Sequence, residues 1–186
     1  HRLEAIGLRS INNIVDISNY VLMETGQPLH TFDADKIKGK KVVVKCMPEG
    51  TPFVTLDGVE RKLSATNLMI CNAEEPMCIE GVFGGAESGV TENTTNIFIE
   101  SAYFNPVSIR KSSKRHGLKT DASFRYERGA DPLVVDYAAK RAALLIQELA
   151  GGQIVGKVQE SYPEKIEKKV VDLDYDRIEA FVGKKI

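Results

Sequence analysis

The chain has 186 residues, is 42% hydrophobic and carries a net charge of -1. That length holds one sizeable domain, or a domain plus a fragment, with an ordinary core. The charge excludes bulk attraction to polyanions, so any nucleic-acid contact must come from local clustering. No apolar run is long enough to span a membrane, and no signal peptide is visible. Cys46, Cys71 and Cys78 lack CxxC spacing, which fits reduced cytosolic thiols better than a disulfide frame. Cys46 and Cys71 each end an apolar run, so core packing is the expected role of both. His1 begins the chain without an initiator Met, as in a piece excised from something longer.

In chain order, Asn12-Asn13 predicts the start of a helix through Thr25. Ile14, Ile17, Val21 and Leu22 share one face, and Gly26 stops it. Gln27 to His30 reads as a loop. Lys41 to Met47 is a β-branched strand. Phe53 to Leu56 and Val59 to Leu63 form a hairpin around Asp57-Gly58. Leu68 to Cys71, Pro76 to Phe83 and Asn96 to Tyr103 are further strands, the second closed by Gly84-Gly85. Asn105-Pro106 opens a helix that Gly117 can stop. Gly117 to Ser123 reads as a loop. Asp131-Pro132 starts a long helix to Ala150, with Val134, Val135, Ala138, Ala142, Leu145 and Leu149 on its apolar face. Ile154 to Tyr162 reads as a strand, residues 163–168 as a charged linker, Val170 to Leu173 as a strand and Tyr175 to Val182 as a helix. Short strands between helices predict an α+β fold, with mixed or antiparallel short-stranded sheets packed against helices. Val42 to Lys45, Ile97 to Ile99 and the helix to Ala150 are expected to share one core.

Ser108 to Pro132 holds seven basic residues: Arg110, Lys111, Lys114, Arg115, Lys119, Arg125 and Arg128. A basic helix, a polar loop and a second helix start suit a polyanion or polar ligand at helix ends. A solvated basic face is the plainer reading of the charge run alone. Gly84-Gly85 admits close backbone approach, but no P-loop lysine follows it. Glu100 lies among Ile97, Phe98, Ile99 and Ala102. Strand alternation puts it on the side of Phe98 and Ala102, facing either water or a buried donor. His30 and His116 have no partners at metal-ligand spacing, so no zinc site is expected. No local nucleophile signature is present.

Four motifs occur together: R-S-I-N-N-I-V-D-I-S-N-Y-V, G-Q-P-L-H-T-F-D, G-V-F-G-G-A-E-S-G-V and R-H-G-L-K-T-D-A-S-F-R-Y-E-R-G-A-D-P. In this order they resemble the B3/B4 module of bacterial phenylalanyl-tRNA synthetase beta subunits. The resemblance covers residues 1 to about 160, and it implies a B3/B4 domain over 1–162, a linker at 163–168 and a truncated start of the B5 module at 169–186. It implies an editing site that hydrolyses tyrosine wrongly attached to tRNA(Phe), with water as nucleophile. Arg9, His30 and Thr120 would then position the ester, the tRNA end or the water. Glu100 would accept the phenol hydrogen bond, while Gly84 and Ala122 would leave room for the ring and terminal adenosine. The resemblance further implies a cytoplasmic heterotetramer of two alpha and two beta subunits. Its alpha subunit would make and transfer the aminoacyl-adenylate with ATP and magnesium, and no cofactor or metal is expected in this piece. Asn12 and Asn13 depart from the asparagine-proline pair expected at that helix start. A non-catalytic module that docks tRNA or the alpha subunit is the rival reading. A free-standing hydrolase is a third, which the B5-like tail opposes.

Overall fold

The computed structural model describes residues 1–185. It forms two compact units, His1–Val155 and Gly156–Ile186. The first contains five helices and eight short strands: α1 (Arg2–Ala5), α2 (Asn13–Thr25), β1 (Leu29–Asp33), β2 (Val43–Cys46), β3 (Pro52–Val54), β4 (Glu60–Lys62), β5 (Leu68–Cys71), β6 (Pro76–Ile79), β7 (Phe83–Gly84), β8 (Ile97–Ser101), α3 (Pro106–His116), α4 (Asp121–Tyr126) and α5 (Val135–Ala150). The second holds α6 (Tyr175–Val182), capped by the Asp174 side chain. No strand forms at 154–162 or 170–173, because neither segment has a partner strand to satisfy its backbone.

All strand pairing is antiparallel. β2, β5, β6 and β7 form one sheet in that order, β3 and β4 a hairpin, and β1 and β8 a separate two-stranded ribbon. The α+β expectation therefore holds. Leu29 and His30, at the start of β1, were expected in a loop. The β1 residues Thr31, Phe32 and Asp33 are buried by pairing with β8, far away in the chain, and no local signal reports such a pairing. The single strand expected over 76–83 is instead two, because the chain reverses through Glu80-Gly81-Val82.

The β1–β8 ribbon separates two cores. Alternation puts Leu29 and Ile99 on one face, against Ile17 and Val21 of α2 and Ala138 and Ala142 of α5. The small alanines let α5 approach α2 closely. The other face carries Phe32, which joins Met69, Ile70, Met77, Ile79, Val82, Phe104, Ile109 and Tyr126 in the larger core. Val42 packs on that larger core and Ile99 on the smaller, so the single core expected for β2, β8 and α5 is in fact two. Ile97 and Ile99 are half-buried, and Leu149 is exposed beyond the end of the α2 contact. Cys71 is buried as expected, but Cys46 is exposed, since it ends an edge strand whose last three residues are all exposed.

Helix ends follow the sequence signals closely. Asn12 accepts from Val15 N and Asn105 from Val107 N, while Gly26 and Gly117 take the left-handed conformation at the C-caps. Of the stretch expected as a loop at 117–123, residues 117–120 are irregular as expected and Asp121 to Ser123 instead start α4. Thr120 is its N-cap, and Thr120 and Ser123 exchange side-chain to backbone hydrogen bonds in a capping box. α5 begins at Val135, three residues later than expected, after a turn in which Asp131 accepts from Leu133 N.

Candidate functional site

The β1–β8 register pairs His30 directly with Glu100 and, one step in the same face, Phe32 with Phe98. The His30 and Phe32 rings meet edge to face with centroids 4.4 Å apart. β7 lies beside them. A Cβ added to Gly84 would stand 2.9 Å from His30 Cε1 and 2.8 Å from Leu56 Cδ1, closer than real side chains pack. Glycine at this position is thus what admits the His30 ring and the tip of the β3–β4 hairpin over β7.

Both polar groups of the pair are removed from water. Burial lowers the pKa of His30 to about 4, so its ring is neutral at neutral pH. Burial, aided by the nearby negative Glu80, lifts that of Glu100 to about 8. Glu100 and His30 are each half-buried as residues, and the loss of water around their ionisable groups is the first cause of both shifts. The carboxylate anticipated from sequence is therefore a neutral acid at pH 7, able to accept through one oxygen and donate through the other.

Thr120 reaches the same region from α4. Its hydroxyl donates to Val82 O (3.0 Å) and accepts from Ser123 N (3.0 Å). Val82 lies two residues before Gly84, so this bond ties the start of α4 to the turn entering β7. Ala122 follows in the first turn of α4 and packs on the larger core. Arg9 stands apart. It is exposed between α1 and α2 and makes no hydrogen bond or ion pair among the described residues. The structure thus links His30 to Glu100 by strand register and to Gly84 by ring contact, and ties Thr120 to the turn before Gly84, with Ala122 beside Thr120.

Four residues to which the sequence reading gave no role at the site complete the surroundings. Glu80 is 2% exposed, its pKa is lifted to about 7 by burial, and the Ser108 hydroxyl donates to it at 3.4 Å. A carboxylate closing the apolar run Pro76 to Ile79 was the available signal. Cys78 is buried, and burial together with Glu100 and Glu80 raises its thiol well above its ordinary value, so it is inert. Gln27 and Tyr126 are buried and hydrogen-bonded to each other. No sequence spacing joins residues 27 and 126.

Among the described residues no group of three His, Cys, Asp or Glu side chains could hold a metal ion. Gly84 lies in β7, and Gly85 forms an isolated antiparallel bridge with Thr55. No helix among the described residues is long and apolar enough to cross a membrane. Of the basic cluster, Lys111, Lys114 and Arg115 are exposed as expected, and Arg115 pairs with Glu49 at 2.7 Å.

An α+β domain of small antiparallel sheets, with a half-buried histidine–glutamate pair whose histidine packs on a glycine strand, is the class defined here. The chain belongs to the B3/4 domain family, whose model matches residues 1–151. It is 56% identical over its full length to the phenylalanine–tRNA ligase beta subunit of Bacteroides fragilis and 58% identical to that of Bacteroides thetaiotaomicron. Against the corresponding beta subunit of Geobacter sulfurreducens it is 47% identical over 98% of the chain. The chain spans 23% of the length of each of these relatives.

Proposed function

We propose that this domain is the editing site of a phenylalanine–tRNA ligase beta subunit and hydrolyses tyrosine mistakenly esterified to tRNA(Phe). The observation that carries this reading is the Glu100 carboxyl paired in register with His30 beside Gly84. A synthetic pocket shaped for an apolar ring rejects an added hydroxyl only modestly, so a second site reading that hydroxyl raises discrimination. Glu100 supplies such a reader. Its carbonyl oxygen accepts from a phenol, whereas a phenylalanine ring leaves the carboxyl without a partner.

The reaction transfers the acyl carbon from the ribose oxygen to water. Water adds to the ester carbonyl, the ribose oxygen leaves as a hydroxyl, and free tyrosine is released. His30, neutral at working pH, orients the ester or water through its ring nitrogen. Thr120 holds the α4 start against the β7 turn. Its hydroxyl proton is committed to Val82 O, leaving one lone pair for the tRNA end or water. Gly84 and Ala122 keep the ring and terminal adenosine unobstructed. Arg9, exposed and unpaired, is assigned to the tRNA backbone. Positioning and the free ribose hydroxyl of the terminal adenosine supply most of the rate. His30 and Leu56 cover Gly84, so a ring reaching that strand displaces one of them.

The wider assignments rest on the motif resemblance. They comprise a cytoplasmic assembly with the alpha subunit, two of each, in which ATP and magnesium serve the alpha subunit's synthetic site. Residues 1–162 are the B3/B4 module and 169–186 open the B5 module, joined by 163–168. The deciding experiment measures release of tyrosine from Tyr-tRNA(Phe) by the parent enzyme. Release by the wild type is expected, with its preference over Phe-tRNA lost in Glu100→Ala. Absence of release by the wild type would leave a docking module as the reading.

A further inference from the structure

The β1–β8 ladder cannot continue past the Leu29–Ser101 pair in the ordinary way, because the next register step sets Pro28 opposite Ala102. Pro28 has no N–H to give. The carbonyls of both residues are taken up from outside the ribbon. Gln27 Nε2 donates to Ala102 O (2.8 Å) and Pro28 O (3.0 Å), and the Tyr126 hydroxyl lies 3.1 Å and 3.2 Å from the same two oxygens. Gln27 Nε2 also reaches the Tyr126 hydroxyl at 3.2 Å. Three acceptors around Nε2 fix the amide's orientation, and Gln27 Oε1 is left buried with no partner. A buried acceptor without a donor is costly. An apolar side chain would remove that cost but would also take the amide donor away from Pro28 O and Ala102 O.

The Gln27 N–H groups close the ribbon two residues from His30 and two from Glu100. Tyr126 is the last residue of α4, whose first turn carries Thr120 and Ala122. Its ring packs edge to face on Phe104 with centroids 5.0 Å apart, and it fills the space over Gly81 in the β6–β7 turn. The knot therefore meets all three supports of the site: the ribbon, the α4 helix and the turn before Gly84.

We propose that Gln27 and Tyr126 are positioning residues that fix the Glu100–His30 ribbon against the Thr120–Ala122 helix. The proposal rests on the editing reading and deepens it. A small shift of reacting groups is costly to rate, so loosening the knot is expected to act on turnover rather than on tRNA binding.

The test uses the full ligase carrying Tyr126→Phe, Gln27→Met or both. Tyr126→Phe keeps the ring on Phe104, so it remains informative if Gln27→Met does not fold. With folded variants, each single change should lower kcat for tyrosine release about ten- to a hundredfold, leaving KM for Tyr-tRNA and the rate of phenylalanine attachment unchanged. The double variant should be no slower than the slower single, since both act through one knot. Folded Tyr126→Phe with wild-type kcat would overturn the proposal, as would a rise in KM alone. A wild-type ligase that releases no tyrosine would overturn the editing reading and the proposal with it, which separates the two failures.

Discussion

His30 and Glu100 are opposed residues of one antiparallel pair, and Gly84 on a different sheet is what lets the His30 ring lie over β7. Two strands from separate parts of the chain thus set an imidazole and a carboxyl side by side, withdrawn from water. The imidazole stays neutral and the carboxyl stays protonated at neutral pH.

Glu100→Ala should remove the preference for Tyr-tRNA over Phe-tRNA in deacylation while leaving phenylalanine activation intact. The missing bond is worth roughly 1.5–3 kcal/mol if charge-assisted and about 1 kcal/mol if neutral. The ratio of the two deacylation rates should fall about five- to a hundredfold accordingly. Glu100→Gln, which mimics the neutral acid, should keep most of the ratio. An unchanged ratio in Glu100→Ala would remove Glu100 from the reader's role.

His30→Ala should slow hydrolysis of Tyr-tRNA with a smaller effect on that ratio, because His30 is assigned to the ester end. Gly84→Ala should act on the same step by a different route. Its methyl would meet His30 and Leu56 at under 3 Å, so the imidazole must move. Overpacking of this kind costs about 1–3 kcal/mol of stability. Chemical denaturation and single-turnover deacylation of Gly84→Ala should both show a loss, and a wild-type deacylation rate would contradict the placement of His30.

Stability should depend on pH through the same groups. Glu100 and Glu80, lifted by burial to about 8 and about 7, retain protons in the folded state that the unfolded chain releases near 4.5. Their contribution is complete below pH 4.5 and is lost as pH rises through about 7 and 8. His30 runs the other way. Its lowered value gives a contribution present above 6.5 and lost as pH falls through about 4. Urea unfolding of Glu100→Gln should show less loss of stability between about pH 5.5 and 8.5 than the wild type. A wild-type slope in the variant would mean that the Glu100 carboxyl is solvated.

Neutralising Lys111 and Lys114 should weaken tRNA binding and flatten its salt dependence, by roughly one unit of slope for each phosphate no longer neutralised. Arg115 should contribute less, because Glu49 already pairs with it. Binding measured across a salt series checks this. An unaltered slope would return Lys111 and Lys114 to ordinary solvated charge.

The sequence by itself determined the elements with local chemistry. Asn12, Gly26, Asn105 and Gly117 mark helix ends because their side chains or backbones satisfy the terminal groups within a turn. Asp57-Gly58 turns the β3–β4 hairpin for the same local reason. The motifs also carried the family, and alternation along β8 already put Glu100 opposite Ile97 and Ile99. What only the tertiary structure decided depends on partners far along the chain. β1 is a strand because β8 pairs with it, and 154–162 is not one because nothing pairs there. Thr120 starts a helix whose cap also binds Val82, and the β1–β8 ribbon splits the expected single core in two. The charge states were equally out of reach. A glutamate's proton affinity depends on how much water and which charges surround it, and for Glu100 those are set by burial and by Glu80, which come together only when the chain has folded.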